Sequence, residues 1–341
     1  MVRALGNRCA GTSGSRPGAP KVAVPRSVKD VERCAAARTS TSLLAQTRPG
    51  QHSELMSVIV GYIIILAAVL GGFAMAGGHL ISLFQPVELV MIGGAALGAF
   101  IVGNSGKVIK GTLRTLPTAL KGSKYTKALY MELLSLLYDI LSKVRKEGLM
   151  SVESDVDNPA QSPIFSKYPK ILSDHHAMEF ITDYLRLMVG GNLNAFEIEN
   201  LMDVEIETHH LEGEIPVTAV NKLADGLPAF GIVAAVMGVV HTMESVGLPP
   251  AELGKLIAAA LVGTFLGILL AYGFVGPIAT LLEHKLTEAT KMLQCIKVTL
   301  LASLNGYAPQ VAVEFGRKVL YSTERPSFNE LEEEVKQRKA K

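Results

Sequence analysis

Residues 224–244 read ADGLPAFGIVAAVMGVVHTME, a proline at the mouth of an apolar run long enough to cross a bilayer. About 30 Å of hydrocarbon takes roughly 20 helical residues, and residues 227–246 meet that length with nothing charged before Glu244. Three more runs qualify, at 57–76, 86–104 and 256–282. Backbone groups in lipid must bond internally and these runs lack the alternation of barrel strands, so each is expected to be a helix.

Composition agrees. Of 341 residues, 49% are hydrophobic and only 19% charged, and the mean hydropathy is +0.31, values of a membrane protein rather than of two soluble domains. A net charge of +2 excludes the basic excess of a nucleic-acid binder, and no such partner is expected. Cys9, Cys34 and Cys295 are too far apart for a CxxC site and odd in number. They read as free thiols of a reducing compartment.

The flanks orient the spans. The link at 77–86, GGHLISLFQP, has no Lys or Arg, whereas residues 105–127 carry Lys107, Lys110, Arg114, Lys121, Lys124 and Lys127 and no acid. Basic flanks stay in the cytoplasm. The expected fold is therefore an all-α integral membrane protein with four transmembrane helices, a large helical cytoplasmic domain between helices two and three, and a cytoplasmic C-terminal tail. Both termini fall inside the cell.

The segments are 56–104 (spans one and two), 105–226 (cytoplasmic helices), 227–282 (spans three and four) and 283–341 (tail). In TKALYMELLSLLYDILSKVRK, Leu129, Leu133, Leu137, Ile140 and Val144 recur at helical spacing, and Glu147-Gly148 ends the helix. HAMEFITDYLRLMVGG and AFEIENLMDVEIETHH read as two further helices, and Ser327 with Glu330 fits a capping box. Residues 1–55, rich in Arg, Gly, Ser and Ala without an apolar face, read as a disordered extension upstream of a start at Met56.

Motifs of enzyme chemistry fail. GNSGK at 103–107 lacks the glycine and hydroxyl of a phosphate loop, with Ile101 and Val108 in those places. The pairs His175-His176 and His209-His210 point to different helix faces and read as solvated loop histidines. No catalytic residue, metal or cofactor is expected. Gly94-x3-Gly98 and Gly263-x3-Gly267 read as helix-packing positions.

Polar groups at membrane depth say more, because each is costly there. Spans one and two offer only the edge residue Glu88. Span four offers Thr264 and Tyr272, about 80° apart on an α-helix, which either line a wet seam or bond within the protein. His241 lies near the outer end of span three, at an interface or on an ion path. Pro228 stands at the start of span three, a normal first helical residue, whereas Pro277 falls inside a 27-residue run and should kink it. Two prolines at similar depth suggest a joint that transmits motion.

The stretches ADGLPAFGIVAAVMGVVH (224–241), AELGKLIAAALVGTFLGILLAYGFVGPIATLL (251–282) and LNGYAPQVAVEFGRKVLYSTERPSFNELEE (304–333) closely resemble the MotA family of bacterial flagellar motor stator subunits. The likeness runs from Met56 into the tail. It implies a multi-pass inner-membrane subunit, five copies around two MotB-type chains that carry the ion-binding aspartate and grip peptidoglycan, conducting ions, most simply H+. On the resemblance, Pro228 and Pro277 couple ion flow to movement, Arg145 and Glu153 face a FliG-type rotor protein, and Ala235, Thr264 and Tyr272 surround the channel. Read as residues alone, Arg145 and Glu153 form an ordinary solvated charged face. The alternative is a TolQ/ExbB-type energiser of envelope transport, whose large loop follows its first of three spans rather than its second of four.

Overall fold

A computed structural model of the chain describes residues 52–339. The extension expected at 1–55 lies outside the described residues except for its last four, which begin the first helix. Cys9 and Cys34 also lie outside.

Helix α1 (His52–Met75) and α2 (Pro86–Gly103) are the first two spans, joined through a 3-10 turn at Leu80–Leu83. Pro86 opens α2, where its missing N–H costs nothing. The amphipathic α3 (Gly106–Ala119) follows after two residues, its first turn capped by the Ser105 hydroxyl accepting from the Val108 N–H. Helix α4 (Lys127–Glu147) starts at a Thr126 cap and stops at Gly148, whose φ of 86° few other residues accept. Short helices α5 (Glu153–Asp157) and α6 (Pro169–Leu172) lead to α7 (His175–Gly190), which ends on left-handed Gly191.

Helix α8 corrects the sequence reading. It runs unbroken from Ala195 to Glu244, 50 residues, so the segment AFEIENLMDVEIETHH and span three are one helix. Asn194 and Glu197 form a capping box at its start. Pro228 is consequently a helix-interior residue rather than a first one, as is Pro216. Packing against α9 and α10 outweighs the roughly 3 kcal/mol cost of each interior proline.

Span four shows the same continuity. Helix α9 (Pro250–Ile268), a π-helical segment (Leu269–Val275) and α10 (Gly276–Leu304) follow without a break, so helix passes through residue 282 as it does through 226. Membrane and extramembrane segments differ in environment, not in backbone. Helices α11 (Pro309–Val319) and α12 (Phe328–Lys339) close the chain, α12 on the expected capping box of Ser327 and Glu330.

Two kinds of core result. The extramembrane core is large: Leu133, Leu136, Leu137 and Ile140 of α4 are all at most 1% exposed, packed with Ile181 and Leu185 of α7, Met202 of α8 and Ile296 and Leu300 of α10. Each such side chain contributes about 2 kcal/mol. The membrane core is small, built on Ile92 and Ala96 of α2, Leu227 and Ala234 of α8, and Ala271 of the π segment. Ile59, Ile63, Ile64, Val236 and Val240 point outward, as lipid-facing spans require. Gly94 and Gly98 face open space and pack no helix of this chain, since the α2 stripe that turns inward is Glu88, Ile92 and Ala96.

Candidate functional site: the proline-flanked helix pair

The tightest helix contact in the membrane is between α8 and α9. A Cβ on Gly231 would come within 2.9 Å of the Gly263 carbonyl oxygen, and one on Gly267 within 2.7 Å of the Leu227 carbonyl oxygen. Neither position can hold a side chain unless the helices part. Gly263-x3-Gly267 is thus the packing motif expected from sequence, and its partner on α8 is Gly231. Leu227 contributes the carbonyl of the peptide bond to Pro228, so the closest approach falls on the proline itself.

Pro277 is placed differently. It stands in the first turn of α10, directly after the π segment. A proline ring clashes with the carbonyl four residues before it, here Gly273, and a wider π turn removes that crowding. The expected kink is replaced by this bulge. The Phe274 carbonyl is taken up by span one: the Tyr62 hydroxyl donates to it at 3.1 Å, and the two rings stack 5.0 Å apart. Span one therefore does supply a polar group, one that the sequence reading missed because a tyrosine in an apolar run looks like filler.

The two prolines are not a symmetric pair of helix breaks. Pro228 lies within a continuous helix at its contact with α9, and Pro277 follows a π turn held from a third helix.

Ala235 is half-buried, its backbone nitrogen 3.3 Å from the Cβ position of Gly263, next to Thr264. Thr264 is also half-buried, whereas Tyr272 is 68% exposed. The structure brings Ala235 to the Gly263-Thr264 turn but leaves Tyr272 outside it.

Glu88 is a second residue whose place the sequence understated. It is 93% buried by α2, α8 and α9, with Oε2 lacking any hydrogen-bond partner. A Cβ on Gly263 would lie 2.7 Å from that oxygen, and one on Gly238 3.7 Å from Oε1. Glycines at 238 and 263 make the room for this carboxyl group, a relation across 150 or more residues that no local pattern reveals. His241, by contrast, is exposed beside Glu244.

In the extramembrane domain Arg145 and Glu153 are both exposed and do not pair with each other. Arg145 Nη1 donates to the Gly306 carbonyl at 3.1 Å, tying the end of α4 to the turn before α11. Glu153 opens α5, whose next turn is fixed from inside. Buried Asp155 takes Lys143 Nζ at 2.7 Å and the Ser162 hydroxyl at 2.6 Å. The two charges therefore stand on separately anchored elements at one end of α4. His175 and His176 open α7 and His209 and His210 sit within α8, correcting the loop reading. His176 and His209 meet edge to face at 5.1 Å, and burial followed by the His176 charge holds the His209 imidazole below its usual range.

Four apolar helices, the last two continuous with helices of an extramembrane domain, define a polytopic helical membrane protein. Residues 59–148 match the profile described as Motility protein A N-terminal, and residues 173–295 that of the MotA/TolQ/ExbB proton channel family. The chain is 60% identical over 281 residues to Motility protein A of Salmonella typhimurium, covering 82% of this chain and 95% of that protein. It is 36% identical to Chemotaxis protein LafT of Vibrio parahaemolyticus, covering 81% and 97%. The fold is similar to the MotAB structure of C. jejuni, with a TM-score of 0.66 at 18% identity over 80% of this chain and 98% of that one. It is also similar to the Bacillus subtilis flagellar MotAB stator complex, at 0.58 and 23% over 75% and 92%. This chain belongs to the Motility protein A family.

Proposed function

We propose that this protein is an ion-conducting stator subunit of a bacterial flagellar motor. The observation that carries the reading is 60% identity over 95% of Motility protein A from Salmonella typhimurium, in a chain whose spans three and four meet at Pro228. The large domain between spans two and three distinguishes it from a TolQ/ExbB-type energiser, and the N-terminal family match covers spans one and two as well.

In this reading the chain is a multi-pass inner-membrane protein with both termini and the helical domain cytoplasmic, as the basic flank at 105–127 favours. Five copies surround two MotB-type chains anchored to peptidoglycan. The transported ion is H+. A carboxylate of the partner takes up and releases it, and the change of charge displaces the α8 and α9 bases at Pro228 and the π turn at Pro277. Since α8 and α10 are continuous rods, that displacement reaches the cytoplasmic helices without passing a flexible joint. Arg145 and Glu153 then meet a FliG-type rotor protein. Ala235 and Thr264 line the path, and exposed Tyr272 faces a neighbouring chain.

Motility of a deletion strain carrying this gene is the test. Swimming restored by the chain, abolished by a protonophore and insensitive to a sodium-channel blocker is expected. Restored swimming sensitive only to the blocker would reject H+, and failure to restore it with the cognate partner present would reject the stator role.

A further inference from the structure

Helix α3 begins three residues after the last residue of α2, too short a link to carry it away from the bilayer surface. At 100° per residue its sides are distinct. Thr112 and Ala119 are buried against the protein. Some 100° further round, Leu113 and the capping Leu120 are exposed, at 65% and 40%. Beyond them Lys107, Lys110 and Arg114 fall within about 60° of one another, all exposed. Among the described residues none of the three forms an ion pair, and residues 105–127 contain no acid.

We propose that this side of α3 is a binding site for anionic phospholipid, with Leu113 and Leu120 in the acyl boundary and Lys107, Lys110 and Arg114 on the headgroup phosphates. An apolar stripe beside a cationic one, on a helix that begins at the end of a span, has the composition of interfacial helices, and juxtamembrane cations are drawn to anionic headgroups. Guanidinium and ammonium groups suit phosphate oxygens. A cleft of about 840 Å³ opens beside the stripe, with Lys107 on its rim. Glu212 and Glu288 also line it, beside Lys121, Lys124 and Lys285. The inference rests on α3 adjoining a span, and a failure of the stator reading would leave it standing.

The full chain, purified in detergent with its co-purifying partner, is titrated with phosphatidylglycerol or phosphatidylcholine of the same acyl length, and bound lipid is counted by native mass spectrometry. Phosphatidylglycerol should bind at least about tenfold more tightly, and the triple change K107Q, K110Q and R114Q should weaken it tenfold to a hundredfold while the mass of the complex stays the same. Raising the salt on the unaltered protein should weaken phosphatidylglycerol alone. The control K146Q with K167Q, outside α3, should bind as before. Equal affinity for the two lipids, or an unaffected triple variant, would overturn the proposal. Loss of subunits from the triple variant with lipid binding to the remainder unchanged would assign the stripe to a second copy of the chain instead.

Discussion

The carbonyl oxygen of Leu227 lies 2.7 Å from the place a Cβ on Gly267 would occupy. Because Leu227 precedes Pro228, the glycine of span four and the proline of span three form one contact, and any relative movement of these helices is felt there first.

Gly267→Ala should therefore damage the protein where a like change at Gly98, which faces open space, does not. The added methyl meets backbone, which has no rotamer to yield, and overpacking of this kind costs about 1–3 kcal/mol. Thermal unfolding of the detergent-purified variants should give a clearly lowered midpoint for Gly267→Ala and an unchanged one for Gly98→Ala. Equal midpoints would remove the contact from the argument.

The prolines should fail in different ways. Pro228→Leu restores a backbone N–H within a helix that is already continuous, so insertion and partner binding should survive while rotation is lost or strongly reduced. Pro277→Ala removes the crowding that the π turn relieves, lets the turn tighten, and should break the Tyr62 contact with the Phe274 carbonyl. Tyr62→Phe should then reproduce part of the Pro277→Ala motility defect. Normal swimming in both proline variants at normal membrane levels would contradict the coupling role.

Arg145→Glu should reduce torque but leave the complex assembled, since Arg145 is exposed and its one hydrogen bond goes to a turn carbonyl. Reversing the charge at a docking surface chiefly harms specificity and approach. Tethered-cell rotation measures it. Rescue by an opposite reversal on the rotor protein is the expected outcome, and full speed in the single variant at low ionic strength would argue against contact.

Cys295 should be inert. It is fully buried in α10, and burial pushes its thiol up to about 12, the Thr299 hydrogen bond opposing only in part. At pH 8 about one thiol in ten thousand is ionised, and the thiolate is the reactive form. A folded-state pKa above the unfolded one favours folding at low pH; that advantage is complete below about 9 and fades as pH rises toward 12. A maleimide should label Cys295 rapidly in denaturant and very slowly in the native protein, and rapid native labelling at pH 7.5 would show that α10 opens.

The chain should not conduct ions alone. Within its spans the only acid below the surface is Glu88, held in a pocket of glycines near one end of α2. A single carboxyl group at one depth makes no relay across about 30 Å. Thr264 and Tyr272 offer hydroxyls that can bond water but no carboxyl or imidazole to carry a proton onward. Proton flux in vesicles containing this chain without a partner, at levels comparable with the complex, would overturn this.

How far the sequence reached depended on the range of the forces involved. Uncharged length alone determined four spans, and the unbroken run of cations after the second determined which helix ends sit together, because transfer to lipid and attraction at its surface act residue by residue. The cap at Ser327 and the stop at Gly148 were equally legible, since each satisfies its own neighbours, whereas the Thr126 cap emerged only in the structure. What only the tertiary structure decided were the relations across the chain. Pro228 looks locally like the first residue of a helix, yet packing of α8 against α9 and α10 holds all 50 residues as one helix. Thr264 and Tyr272 look like one seam, yet Thr264 is half-buried beside Ala235 and Tyr272 is left exposed. Glu88 looks like an edge residue, and becomes the buried carboxyl of the membrane core because Gly238 and Gly263, distant in sequence, leave it the room. Local patterns report where a side chain would rest by itself, whereas shape complementarity between helices exists only once both are in place.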